Sequence, residues 1–100
     1  MTEQTRTTDF FELVKTGTPQ SVRAAISNGA EVNTRDDYGR TPLMAAASYT
    51  ENPEVIPTLL KAGADAKAKN KAGHTAFDYA QYNEKLKGTD AYRQLQRASQ

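Results

Sequence analysis

Apolar residues along this chain fall in short helical clusters, and the clusters recur. Phe10, Leu13 and Val14 share one helical face, as do Val22, Ala25 and Ile26. Val55, Ile56, Leu59 and Leu60 repeat the second of these patterns further on. Sliding the sequence along itself places Pro19 on Pro53, Gly29-Ala30 on Gly63-Ala64, Glu31 on Asp65, Gly39 on Gly73 and Thr41 on Thr75. At the same offset Leu43 falls on Phe77, Ala46 on Ala80, Val22 on Ile56, Ala25 on Leu59 and Ile26 on Leu60. A constant period of this length marks stacked supersecondary units, each too small to bury its own apolar face.

The unit reads as helix, helix, extended finger. Thr41-Pro42 is a cap followed by proline at the first helical position, opening a short alanine-rich helix over Leu43 to Tyr49. Asn52-Pro53 repeats the signal and predicts a second helix with Val55, Ile56, Leu59 and Leu60 on one side. Gly63 stops it. Ala64 to Lys71 then alternates, and the finger turns at Ala72-Gly73, as the preceding one turns at Asp37-Tyr38-Gly39. Pro57 would lie inside the second helix if Asn52 were its cap. A bent or delayed helix start is therefore expected, with Pro57→Leu predicted to stabilise.

Three repeats emerge, at about 8–35, 36–69 and 70–98, in a single domain over 9–98 that follows a flexible 1–8 segment. The third is expected to have a longer first helix, a break at Gly88-Thr89 and a last helix carrying Tyr92 and Leu95. Arg93, Gln94, Gln96 and Arg97 give that helix a polar outer face, so the array is expected to end with the chain.

The strings Gly39-Arg40-Thr41-Pro42-Leu43-Met44-Ala45-Ala46-Ala47 and Leu59-Leu60-Lys61-Ala62-Gly63-Ala64-Asp65 resemble the ankyrin repeat. The segments from Asn52 to Ile56 and from Asn83 to Tyr92 are similar to short stand-alone, bacterial-type members. The resemblance implies an all-α solenoid of three helix-turn-helix repeats with short β-hairpin-like fingers. Three departures stand out. One residue is inserted between the helices of repeat two, within Tyr49 to Asn52. The histidine of the family's Thr-Pro-Leu-His signature is replaced by Met44 and by Asp78, and Lys67 stands where Asn33 stands one repeat earlier.

The resemblance also implies a non-catalytic protein–protein interaction module that docks a partner on its concave side, formed by short helices and fingertips. By position that side carries Lys15, Thr16, Arg35, Asp37, Tyr38, Arg40, Ser48, Tyr49, Lys69, Lys71, His74, Tyr82 and Asn83. Tyrosine and arginine are over-represented among binding hot spots, and the repeat fold requires none of Tyr38, Tyr49, Tyr82, Arg35 or Arg40. The second helices would form the convex side, with Arg23, Ser27, Thr58 and Lys61 facing solvent. An inhibitor or immunity protein blocking one enzyme, or a self-associating structural module, are the alternatives.

Composition narrows the chemistry. There is no cysteine, so neither disulfides nor thiolate chemistry enter. His74 is the only histidine, sits beside the turn glycine Gly73, and has no nucleophile arranged with it. Asp36-Asp37 does not match the alternating ligand spacing of a calcium loop. No enzymatic activity, metal or cofactor is expected. No apolar run could span a bilayer, and a cytoplasmic monomer is the default expectation.

The charge is uneven: residues 1–60 carry five basic and eight acidic side chains, residues 61–100 eight and four. Lys67, Lys69, Lys71 and His74 form a basic finger suited to an acidic protein partner. No aromatic residue is interleaved among these lysines for base stacking, so nucleic acid is not the expected partner. Phe10, Phe77 and Tyr92 take core-facing positions, whereas the pattern leaves Phe11, Tyr79 and Tyr82 open.

Overall fold

Threonine sets the helix starts. Thr18, Thr41, Thr75 and Thr89 are all extended, and each hydroxyl accepts a hydrogen bond from the N–H three residues on, the geometry that satisfies an orphan donor of the first turn. In the computed structural model, which describes residues 6–100, the helices so defined are α1 (Arg6–Thr16), α2 (Pro19–Ser27), α3 (Pro42–Tyr49), α4 (Val55–Lys61), α5 (Ala76–Ala80) and α6 (Asp90–Ala98). Helices α1, α3 and α5 stack in one layer and α2, α4 and α6 in the other.

The two layers share one core. Phe10, Val14, Val22, Leu43, Val55, Ile56, Leu59, Leu86 and Leu95 are buried in it, with Ala46, Ala47, Ala76 and Ala80 between them. Their small side chains let neighbouring helices of the first layer approach closely. Phe77 and Tyr92 pack against this core with their rings 5.2 Å apart.

The fingers project from the stack and repeat one turn with two different residues. Asp36 Oδ1 accepts the N–H groups of Tyr38 and Arg40, and Asn70 Oδ1 accepts those of Ala72 and His74. Each turn is closed by two further backbone bonds: Asp36 N–H to the Arg40 carbonyl and Gly39 N–H to the Asp36 carbonyl in the first, Asn70 N–H to the His74 carbonyl and Gly73 N–H to the Asn70 carbonyl in the second. Among the described residues there is no strand, so the fingers are hairpin-like in course only. Gly39 (φ +76°) lies where neighbouring fingers touch, and a Cβ there would meet Lys71 N at 3.1 Å. Lys71 N–H donates to the Tyr38 carbonyl across that contact at 3.0 Å.

Helix α1 begins at Arg6, and residues 1–5 lie outside the described residues. Three expectations need correction. Asn52 does not cap α4. Its Oδ1 accepts the Glu54 N–H in a local turn, and the helix starts at Val55, the delayed start expected from Pro57, which becomes its third residue. A proline there has no helical hydrogen bond to forfeit. Helix α5 is shorter than its counterparts rather than longer. It ends at Ala80 because the chain then turns inward to bury Asn83 and Leu86. Thr58, expected to face solvent, is buried, and its hydroxyl donates to the Glu54 carbonyl at 2.8 Å.

Candidate partner-binding face

Helices α1 and α3 lie side by side, and each turns a row of residues toward the fingers. Glu12 and Lys15 from α1 face Ala45, Ser48 and Tyr49 from α3, at the three- and four-residue spacing of one helical face. Asp36 and Arg40 of the first finger close one end, and Tyr79 of α5 closes a side. The result is a cleft of about 370 Å³ with Phe11 and Met44 as further apolar lining. Met44, which replaces the signature histidine, is fully buried at the base, its N–H bonded to Thr41 Oγ1.

The predicted residues divide into three groups. Lys15, Arg40, Ser48 and Tyr49 line the cleft, and Thr16 is exposed at the end of α1 just outside it. Arg35, Asp37, Tyr38, Lys69 and Lys71 are exposed along the two fingers. His74 and Tyr82 border a shallower depression with Asp78, Tyr79 and Gln81 at the end of α5. Asn83 belongs to none of them: it is buried, its Nδ2 donating to the carbonyls of Ala47 and Thr50.

Several of these side chains are already engaged. Arg40 Nε donates to Asp36 Oδ2 at 2.7 Å, and its guanidinium lies 4.8 Å from the centre of the Tyr38 ring. Burial pushes the Asp36 carboxyl up, but hydrogen bonds from the Arg40 N–H, the Arg40 side chain and the Tyr38 N–H outweigh it and hold the group below its ordinary value of 3.8. The same side-chain bond raises the Arg40 guanidinium above its usual value. Arg35 Nη1 donates to the Gly39 carbonyl at 3.1 Å and the Lys69 carbonyl at 2.9 Å, stapling the fingers together. Lys15 sits 5.0 Å from the Tyr49 ring centre and 3.3 Å from Glu12.

The tyrosines are more available. Tyr38, Tyr49 and Tyr82 remain 65%, 62% and 85% exposed, and they are the exposed large hydrophobic side chains among the described residues. The pattern of the sequence missed Phe11, Ala45 and Tyr79 as lining. For Phe11 and Tyr79 the available signal was an aromatic side chain at a position that the repeat pattern leaves open. Among the described residues no cluster of three or more His, Asp or Glu could hold a metal, and no helix is long and apolar enough to cross a membrane.

Paired short helices stacked in two layers, with turned fingers tied to one another by backbone bonds, define a helical repeat solenoid. The family model for ankyrin repeats (many copies) matches residues 26–80, and the chain belongs to the ankyrin-repeat family. It is similar to an ankyrin repeat protein of fowlpox virus (strain NVSL), 49% identical over 49 residues, which make up 49% of this chain and 10% of the viral protein. It is also similar to ankyrin repeat and SOCS box protein 6 of Homo sapiens and of Pongo abelii. Each is 43% identical over 54 residues, covering 49% of this chain and 13% of the relative. The chain thus spans about a tenth of the length of these curated relatives. Ankyrin repeats serve generally as non-enzymatic modules of protein–protein interaction.

Proposed function

We propose that this chain holds a protein partner on the face made by α1, α3, the fingers and the end of α5. The observation that carries this reading is the placement of the exposed tyrosines. Tyr38, Tyr49 and Tyr82 all lie on that side, whereas the second-helix layer exposes Arg23, Ala24, Ser27 and Lys61. Tyrosine brings large, rigid area with little entropy to lose on binding. Two of the rings, Tyr38 and Tyr49, are further restrained by the cations packed on them. The cleft beside Tyr49 supplies depth for one anchoring side chain of the partner.

The test is a comparison of faces. A partner is recovered from the native cell, identified by mass spectrometry, and its affinity measured against single variants. Tyr38→Ala and Tyr49→Ala should each weaken binding by about 1–3 kcal/mol, while Arg23→Ala and Lys61→Ala leave it unchanged. The reverse pattern would assign the second-helix layer as the binding surface.

A further inference from the structure

Donors and acceptors on the proposed face are unequally spent. The cleft's two carboxylates are occupied: Asp36 accepts three hydrogen bonds, and Glu12 faces the Lys15 ammonium. One donor beside them, the Tyr79 hydroxyl, is not. Asn70 Nδ2 donates to the Tyr79 hydroxyl at 2.6 Å, which leaves the hydroxyl proton of Tyr79 free to bond a ligand at the cleft wall.

Asn70 also joins this wall to the second finger. Along that finger Ala66, Ala68 and Asn70 are buried while Lys67, Lys69 and Lys71 are exposed, so the alternation turns all three ammonium groups outward. None has a carboxylate within salt-bridge distance among the described residues, and Arg35 is pinned against the same finger through the Lys69 carbonyl. A cleft with an apolar wall, whose carboxylates already have partners, therefore lies beside a row of unpaired cations.

We infer that the partner presents an acidic segment carrying one apolar anchor: the anchor enters the cleft between Phe11, Met44, Ala45 and Tyr79, and its flanking carboxylates meet Lys67, Lys69 and Lys71. This rests on the reading that partners dock on this face and adds the chemistry of what docks. A protein segment is favoured over nucleic acid because the exposed ring beside the lysines, Tyr38, already carries the Arg40 guanidinium, whereas the cleft offers a recess for one apolar side chain.

The experiment selects phage-displayed random dodecapeptides against the intact chain. The selected peptide is then titrated by fluorescence anisotropy and mapped by amide chemical shifts. The expected consensus is rich in Asp and Glu around one large apolar residue, with shifts concentrated at Phe11, Ala45, Tyr79 and the lysine finger. Replacing the peptide's anchor by alanine should weaken binding about tenfold or more. The triple variant Lys67→Gln, Lys69→Gln, Lys71→Gln should weaken it similarly, with most of the loss in a slower, less salt-sensitive association.

A basic or uncharged consensus that still perturbs the cleft would overturn the acidic assignment and leave the docking face standing. A consensus that perturbs only the second-helix layer, or no enrichment at all, would overturn both. A single-stranded RNA oligonucleotide that binds more tightly than the peptide and displaces it would replace the proposal with a nucleic-acid one.

Discussion

The side-chain amide nitrogen of Asn83 lies 3.1 Å from the carbonyl oxygen of Ala47, across the boundary between the second and third repeats. The same nitrogen donates to the Thr50 carbonyl at 3.0 Å, and Asn83 Oδ1 accepts the Lys85 N–H. One buried side chain thereby satisfies carbonyls at the end of α3, where a helix has no internal partners to offer. Asn83→Leu keeps most of the volume and strands both acceptors. Stability should fall by about 2–4 kcal/mol, read from the urea midpoint. A loss below about 0.5 kcal/mol would mean that water reaches these carbonyls once the amide is gone.

Arg35 was expected on the binding face, but its Nη1 bridges the Gly39 and Lys69 carbonyls. Arg35→Ala should therefore cost about 0.5–1.5 kcal/mol of stability, measured by thermal or urea unfolding in the absence of any partner. Arg35→Lys should recover only part of it, because the flexible lysine stem loses more rotamer freedom per hydrogen bond formed than the pre-organised guanidinium. An unchanged midpoint for Arg35→Ala would leave partner contact as the residue's remaining role.

Helix α4 starts at Val55, which reverses the effect expected of replacing Pro57. At the third helical position proline breaks no bond, and its fixed φ restricts the unfolded chain. Pro57→Leu should accordingly lower stability slightly, by about 0.4–1 kcal/mol. A gain on chemical denaturation would place the proline deeper in the helix than Val55 allows.

Acid should weaken the first finger through Asp36. Folding lowers this carboxyl below its ordinary 3.8, so the unfolded chain binds the proton more readily. The stabilisation is fully present above that ordinary value and is lost as pH falls through the lower folded one. Asp36→Asn should flatten stability against pH in this acidic window while leaving the neutral-pH curve parallel to wild type. Paired unfolding titrations between about pH 2 and 6 would show the change in slope.

The repeat, its helices and its stops were legible because their causes act over a few residues. Thr41 reaches the Met44 N–H within one turn, and Thr75 does the same for Asp78. Gly63 ends α4 with a φ of +102° that side-chain-bearing residues rarely adopt. The apolar rows of α2 and α4 follow from helical spacing alone. Of the candidate site, the exposed tyrosines and the outward lysines could be read from position in the repeat.

What the sequence by itself determined, then, is the unit and its stacking, since a cap, a proline, a glycine stop and an apolar face each work locally and each recurs. Tertiary structure decided where polar groups went once neighbours arrived. Asn83 reads as a surface residue until the carbonyls of Ala47 and Thr50 stand in front of it, and Thr58 until α4 is packed between its neighbours. The cleft brings Phe11 and Tyr79 to one recess from opposite ends of the chain. Its shape is a property of three packed helices and a finger, and no single segment carries it. Arg35 and Arg40 look alike in sequence, yet one staples two fingers and the other neutralises Asp36. Reach and desolvation, which depend on distances between repeats, made that difference.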